Sequence, residues 1–324
     1  MKEKFSLFNL FGRKSITKDD EFAEIPTNFK GFFVMFGRKF WNLSNLSLIY
    51  SLFNIPFLFI FLAFALQEQH SVVGSPMHAA FYGFYHVSDS VILKSIFPIV
   101  SNYLVDSVPS TASYVMLGIS ALCLFTFGLS NAGAAYIIRG YNRGDPIFIF
   151  SDFFSTIKRN WKQALVVGFV DEILIAVLIY DFLFWNQGGF FNGILQYFAL
   201  FLCVLYFFMR LYIYTILITF DLSIYKIFKD AFLLSFLGLK RNLLALFGIL
   251  IVVAANMYLC ILYIPVGVML PIILTIGVVM FISGYASYPV IKKYMIDPYY
   301  NENPDELSDD DSSDDDDVVF EDRG

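Results

Sequence analysis

Three charged residues stand inside long apolar runs of this chain: Asp171 and Glu172 in QALVVGFVDEILIAVLIY, and Arg210 in ALFLCVLYFFMRLYIYTILIT. Carboxylates and a guanidinium in such surroundings serve a proton or ion pathway, or form a structural pair that fixes helix packing. An isolated charge at the centre of a bilayer costs at least about 2.5–3.5 kcal/mol, so mutual pairing is the expected resolution. The acids lie nine residues beyond Lys162, and Arg210 lies eleven before Asp221. On helices of opposite direction, a rise of about 1.5 Å per residue puts both sites roughly 15 Å from the same membrane side. Adjacent acids point about 100° apart on a helix, so Arg210 satisfies one of them and leaves the other for another partner or for protonation.

No other constellation announces a reaction. His70, His78 and His86 have spacings of eight and no HxxxH or HxH pair to preorganise a metal. Cys123, Cys203 and Cys260 fall far apart in apolar runs and read as small hydrophobes. A phosphate-cradling Gly loop, HExxH and a nucleophile elbow are all missing from the sequence. The expectation is therefore no catalytic residue, cofactor, metal or nucleic-acid partner, and no enzyme.

The elements that must position the charged residues are helices in lipid. Hydrophobic residues make up 58% of the 324 and charged residues only 15%, with a mean hydropathy of +0.65, whereas soluble chains carry about 25% charged residues. Apolar runs at about 43–66, 112–138, 163–184, 191–219, 243–264 and 266–288 each approach the roughly 20 residues that a spanning helix needs. The runs lack the alternation of barrel strands, so the expected fold class is an all-α membrane protein with a six-helix transmembrane bundle.

Lys and Arg number 8 in residues 1–42, 1 in 67–111, 5 in 139–162, none in 185–190, 4 in 220–242 and 3 after 289. By the positive-inside rule both termini are cytoplasmic and the long loop 67–111 faces outward. The domains read as a cytoplasmic segment 1–42, a transmembrane domain 43–296 and an acidic tail 297–324. That tail holds 13 of the 28 acids and is expected to be disordered.

In the N-terminal segment, Phe5, Leu7, Phe8 and Phe11 stand at helical spacing among Lys and Arg, as in a helix lying in the cytoplasmic interface. Phe154, Lys158, Arg159 and Asn160 recur as Phe236, Lys240, Arg241 and Asn242, sharing F-x-x-[IL]-K-R-N at a distance of 82 residues. This suggests hairpins preceded by amphipathic interface helices, and the exposed candidates for partner binding are Phe154, Lys158, Arg159, Trp161, Phe236, Lys240 and Arg241. Pro56 is expected to kink the first span. Pro265 and Pro271 are expected to bracket a short outer turn, which makes the last two spans an antiparallel hairpin. The outward loop is too apolar for a free linker and too broken by Pro98 for a span, so it is expected to lie on the outer leaflet, cap the bundle or meet a partner.

The stretch GLSNAGAAYIIRGYNRGDPIFIFSDFFSTIKRNWKQALVVGF (128–169) resembles the YesL-like membrane proteins, classed as a domain of unknown function (number 624). Asn54-Ile55-Pro56, Phe220-Asp221-Leu222-Ser223, Phe228-Lys229-Asp230-Ala231-Phe232, and Tyr288-Pro289 leading to Lys292-Lys293-Tyr294-Met295 agree with it, so that the resemblance covers about residues 28–296. Ser130-Asn131 stands where a Gly-Pro-Ala type turn is common in that family. The resemblance implies a small bacterial cell-membrane protein associated with carbohydrate ABC importers and their regulators. The leading expectation is a non-enzymatic accessory subunit meeting an importer permease, its ATPase or a substrate-binding protein. The alternative is an independent small-solute or ion transporter or channel using Asp171, Glu172 and Arg210.

Overall fold

The computed structural model describes residues 29–73, 103–185, 190–302 and 320–321. The N-terminal segment with Phe5, Phe8 and Phe11, the histidines His78 and His86, and tail residues 303–319 lie outside the described residues. In chain order the elements are α1 (Phe29–Phe53), α2 (Leu58–Ala65), β1 (Glu68–Val73), β2 (Tyr103–Val108), α3 (Thr111–Ser120), α4 (Cys123–Arg143), α5 (Ile149–Phe184), α6 (Phe190–Thr219) and β3 (Phe220–Asp221). They continue as α7 (Ile224–Leu237), α8 (Leu239–Leu262), α9 (Ile264–Leu270), α10 (Ile276–Ile291), α11 (Asp297–Glu302) and β4 (Phe320–Glu321). Single π-turns at Pro271–Thr275 and Lys292–Ile296 join α9 to α10 and α10 to α11. The chain divides into two compact units, one made of Met1–Asn54 with Leu124–Gly324 and the other of Ile55–Cys123.

In the smaller unit, a 3₁₀ turn at Ile55–Phe57 leads into α2. Ser110 caps α3 by accepting from the Ser113 N–H at 3.2 Å, and its hydroxyl donates to the Leu66 carbonyl at 2.6 Å. The buried Ser113 hydroxyl donates to the Ala63 carbonyl at 2.6 Å, so three side-chain hydrogen bonds fix the α2 and α3 ends. Within the loop 67–111, β1 and β2 pair antiparallel from Glu68 opposite Val108 to Val73 opposite Tyr103. His70 stands opposite Asp106 in that register.

In the larger unit, α6 is the central element. Residues 211–220 are buried on every face, the signature of a helix surrounded by others rather than laid on a surface. Ile227, Ala231 and Leu234 of α7 and Val278, Ile282 and Val290 of α10 belong to the same core. A second cluster joins Leu43, Leu46 and Tyr50 of α1 to Ile137 and Ile138 of α4, with Phe153 and Phe281. Gly128 of α4 and Gly168 of α5 meet backbone to backbone, and a Cβ on either would collide with the other helix. Small residues permit such close crossings where lipid supplies no hydrophobic drive between helices.

Pro271 does not stand in a turn. The outer turn is one extended residue, Tyr263, and the helix continues through Pro271 as a π-turn. Three serines of α1 answer that irregularity. Ser44 donates to the Ile273 carbonyl at 2.9 Å, Ser47 to Pro271 at 3.1 Å and Ser51 to Ile272 at 3.5 Å. Polar groups freed by a break at membrane depth need such partners.

Among the described residues four helices are long and apolar enough to cross a membrane: Thr111–Arg143, Phe191–Thr219, Leu239–Leu262 and Ile264–Tyr299. The broken pair Lys30–Phe53 and Ile55–Ala65 makes a fifth if it crosses as one span. The protein is thus a helical membrane protein. The helix of the expected first span begins at Phe29, not near residue 43, and the kink expected at Pro56 is present as a break after Phe53, because Pro56 removes a donor and disfavours helix in the residue before it. The expected third span forms the second part of the 36-residue α5, which departs from helical dihedrals at Asn160 (φ −105°, ψ 16°). At the C-terminal side, Phe320–Glu321 pair in parallel with Phe220–Asp221.

Candidate functional site

Arg210 and Asp171 face each other from α6 and α5, with Arg210 Nε donating to Asp171 Oδ2 at 3.0 Å. The acid is completely buried. Tyr206 donates to its Oδ1 at 2.7 Å and Tyr214 to its Oδ2 at 2.6 Å. Three donors from one helix therefore close on one carboxylate, an arrangement whose spacing is visible in the chain: Tyr206, Arg210 and Tyr214 recur every four residues and share a face of α6. The Arg210 guanidinium also sits over the Phe127 ring at 5.0 Å, a favourable contact for a partly desolvated cation.

Glu172 does not join this group. One residue on, it points to another side of α5, is half-buried, and makes no hydrogen bond or ion pair among the described residues. Burying a carboxylate demands a full set of donors, and only Asp171 receives one.

The Arg210 side chain remains 32% accessible because it forms part of the wall of a cavity of about 500 Å³ inside the larger unit. Helices α1, α4, α6, α8 and α10 contribute to that wall. Its polar members include Tyr50, Asn131, Arg139, Asn142, Asn256 and Ser283. Tyr50 donates to Asn131 Oδ1 at 3.4 Å, and Asn54 Nδ2 donates to the Ser130 hydroxyl at 2.8 Å. The Ser130-Asn131 pair thus ties α4 to Tyr50 of α1 and to Asn54 just beyond it, beside the cavity.

The second arginine of the wall is a correction to the sequence reading. Arg139 was expected at the start of a cytoplasmic segment, but α4 runs on to Arg143 and buries Arg139 to 6% exposure. Its Nη1 donates to the Ile218 carbonyl at 3.3 Å and to the Thr219 hydroxyl at 3.2 Å, while its buried Nε has no hydrogen-bond partner among the described residues. Its guanidinium lies 5.1 Å from the Tyr136 ring centre. A basic residue near a span end reads as loop from sequence alone, because the positive-inside rule counts charges without seeing which of them fold inward.

The candidate partner residues are on the surface. Phe154, Lys158 and Trp161 of α5 and Phe236 and Lys240 at the α7–α8 junction are exposed, and Arg241 is half-buried. Exposed Arg159 lies 5.9 Å from the Tyr136 ring centre. The two F-x-x-[IL]-K-R-N copies both mark a discontinuity in helix: the first ends on the kink at Asn160, and the second spans the break at Gly238 between α7 and α8. In the second copy, buried Asn242 accepts from Tyr212 at 2.6 Å and donates to the Ser235 carbonyl at 2.9 Å, bridging that break. Among the described residues no group of His, Cys, Asp and Glu is placed to hold a metal ion.

The helix α4, the glycine crossing and the acid of α5 coincide with a recognisable family segment. Residues 108–182 match the family described as Protein of unknown function, DUF624. This agrees with the YesL-like resemblance and contains Arg139, Gly128, Gly168 and Asp171; Arg210 and most of the cavity wall lie beyond it. No curated protein and no solved structure matches the chain.

Proposed function

We propose that the protein is a non-enzymatic membrane component that holds a small solute inside its helix bundle and serves an uptake system. The cavity of about 500 Å³ with Arg210 fixed in its wall carries this reading. Ligand sites commonly measure about 300–1,000 Å³ and combine an apolar wall with a few well-placed polar groups. The two tyrosines and the arginine that close on Asp171 hold the guanidinium in one place before any solute arrives, which lowers the ordering cost of binding.

The proposed setting is a bacterial cell membrane, with six spans and both termini cytoplasmic, on the alternation of basic segments; residues 163–184 of α5 supply the third span. The family resemblance supports a place beside a carbohydrate ABC importer. The exposed aromatic and basic residues Phe154, Lys158, Trp161, Phe236 and Lys240 are the proposed contact with its permease or ATPase, since such surfaces combine apolar anchors with charge. A second reading, independent transport, is favoured by the accessible guanidinium of Arg210 at membrane depth; Asp171 then holds that group rather than carrying a proton.

Native mass spectrometry of the tagged protein, extracted from its own membrane in mild detergent, tests both readings. The expected result is a bound small molecule on the wild-type protein that is lost when Ala135→Leu, a substitution in the α4 part of the wall, fills the cavity, together with stoichiometric importer subunits. A solute-loaded protein without partners favours independent transport. Bare polypeptide in both proteins overturns the solute-binding reading.

A further inference from the structure

We infer that the solute of this cavity is a small organic monoanion with an apolar body, its carboxylate recognised by Arg139; the inference rests on the solute-binding reading above. The wall contains two guanidinium groups and no carboxylate. Asp171 stands behind one of them and neutralises Arg210. Arg139 has only neutral acceptors, the Ile218 carbonyl and the Thr219 hydroxyl, and makes no ion pair among the described residues. The nearby Asp145 is engaged by Arg143 at 3.3 Å. Among the described residues one positive charge is therefore left without an ion-pair partner in the wall, and its buried Nε has no hydrogen-bond partner. A buried cation in that state is costly and is matched by one negative charge.

The donors available to a ligand point to the same chemistry. The three amides of the wall spend part of their donor capacity inside the protein: Asn131 donates one N–H to the Phe127 carbonyl at 2.8 Å and Asn142 one to Ile138 at 2.8 Å, while Asn256 donates to Gly267 at 3.3 Å and to the Cys260 sulfur at 3.9 Å. Beside the second N–H of Asn131 and of Asn142 and the hydroxyls of Thr215 and Tyr288, the guanidinium groups are the charged donors of the wall, and their planar N–H groups match a carboxylate. Around them the wall is mostly apolar, with Phe127, Ile138, Phe207, Leu211, Val253 and Met280. A neutral sugar has a hydroxyl on nearly every carbon, and such a wall leaves most of them without partners. If the protein serves a carbohydrate importer, its own ligand is then a signal or co-solute and not the imported sugar.

The test is equilibrium binding to the purified full chain in detergent, using benzoate, its uncharged counterpart benzamide, and glucose. Benzoate is expected to bind at least about tenfold more tightly than benzamide, the value of one charge-assisted hydrogen bond, with glucose weakest. Arg139→Gln is expected to abolish the preference for benzoate over benzamide, Arg139→Lys to restore part of it, and Ala135→Leu to weaken both aromatic ligands. Equal binding of benzoate and benzamide, or a preference that survives Arg139→Gln, overturns the anion site while leaving the cavity as a binding site. Absence of binding by all three probes to the wild-type protein overturns the anion site and the solute-binding reading together.

Discussion

Two arginines share one cavity wall and live in opposite circumstances. Arg210 meets a carboxylate that two tyrosines also satisfy, whereas Arg139 meets only a carbonyl, a hydroxyl and the face of a ring. The first arrangement is closed: every partner is inside the protein, and removing one strands the rest. The second is open, because among the described residues its charge has no ion-pair partner and its Nε no acceptor. Burial of charge in a membrane protein is thus not one phenomenon. A compensated pair reports on how helices are held together, and an uncompensated charge reports on what is meant to arrive.

The largest effects are expected where the closed network is broken. Asp171→Asn or Arg210→Met leaves one buried partner without the other and is expected to cost about 3–5 kcal/mol of stability, read as a fall in the unfolding midpoint in detergent. Next come Tyr206→Phe and Tyr214→Phe, each removing one donor from a buried carboxylate at an expected cost of about 1–3 kcal/mol. The crossing that sets α4 beside α5 is expected to lose a similar amount, about 1–3 kcal/mol, when Gly168→Ala forces the two backbones apart, and the same thermal measurement checks it. Glu172→Gln is expected to stay within about 0.5 kcal/mol of the wild type, because the residue has no partner to lose. A large effect at Glu172 would merge the two acids into one cluster and weaken the contrast.

How much of this was legible in the chain depended on whether a signal was local. That Arg210 pairs with one of the two acids follows from depth and the cost of isolated charge, but the choice of Asp171 over Glu172 was open, and the tyrosines at four-residue spacing from Arg210 were a signal left unread. The span at 191–219 falls within one residue of α6 because its apolar run is long and holds a single charge, Arg210. Arg139 was hidden by its position near the end of a span, where inward and outward charges have the same sequence. The serines at 44, 47 and 51 carried no meaning until the π-turn at Pro271–Thr275 placed carbonyls before them. The β1–β2 ladder was obscured by the 29 residues between its strands, since pairing that distant leaves no local pattern. The recurring F-x-x-[IL]-K-R-N was legible as a motif, but its place at a kink and at a helix break was not.

The most direct test of the contrast is a side-by-side thermal unfolding of Arg210→Gln and Arg139→Gln in the same detergent without added ligand. The account predicts that Arg210→Gln lowers the midpoint by several degrees, while Arg139→Gln leaves it unchanged or raises it because an uncompensated buried charge has been removed. Equal losses in the two variants would contradict it, showing that Arg139 is as much a part of the scaffold as Arg210.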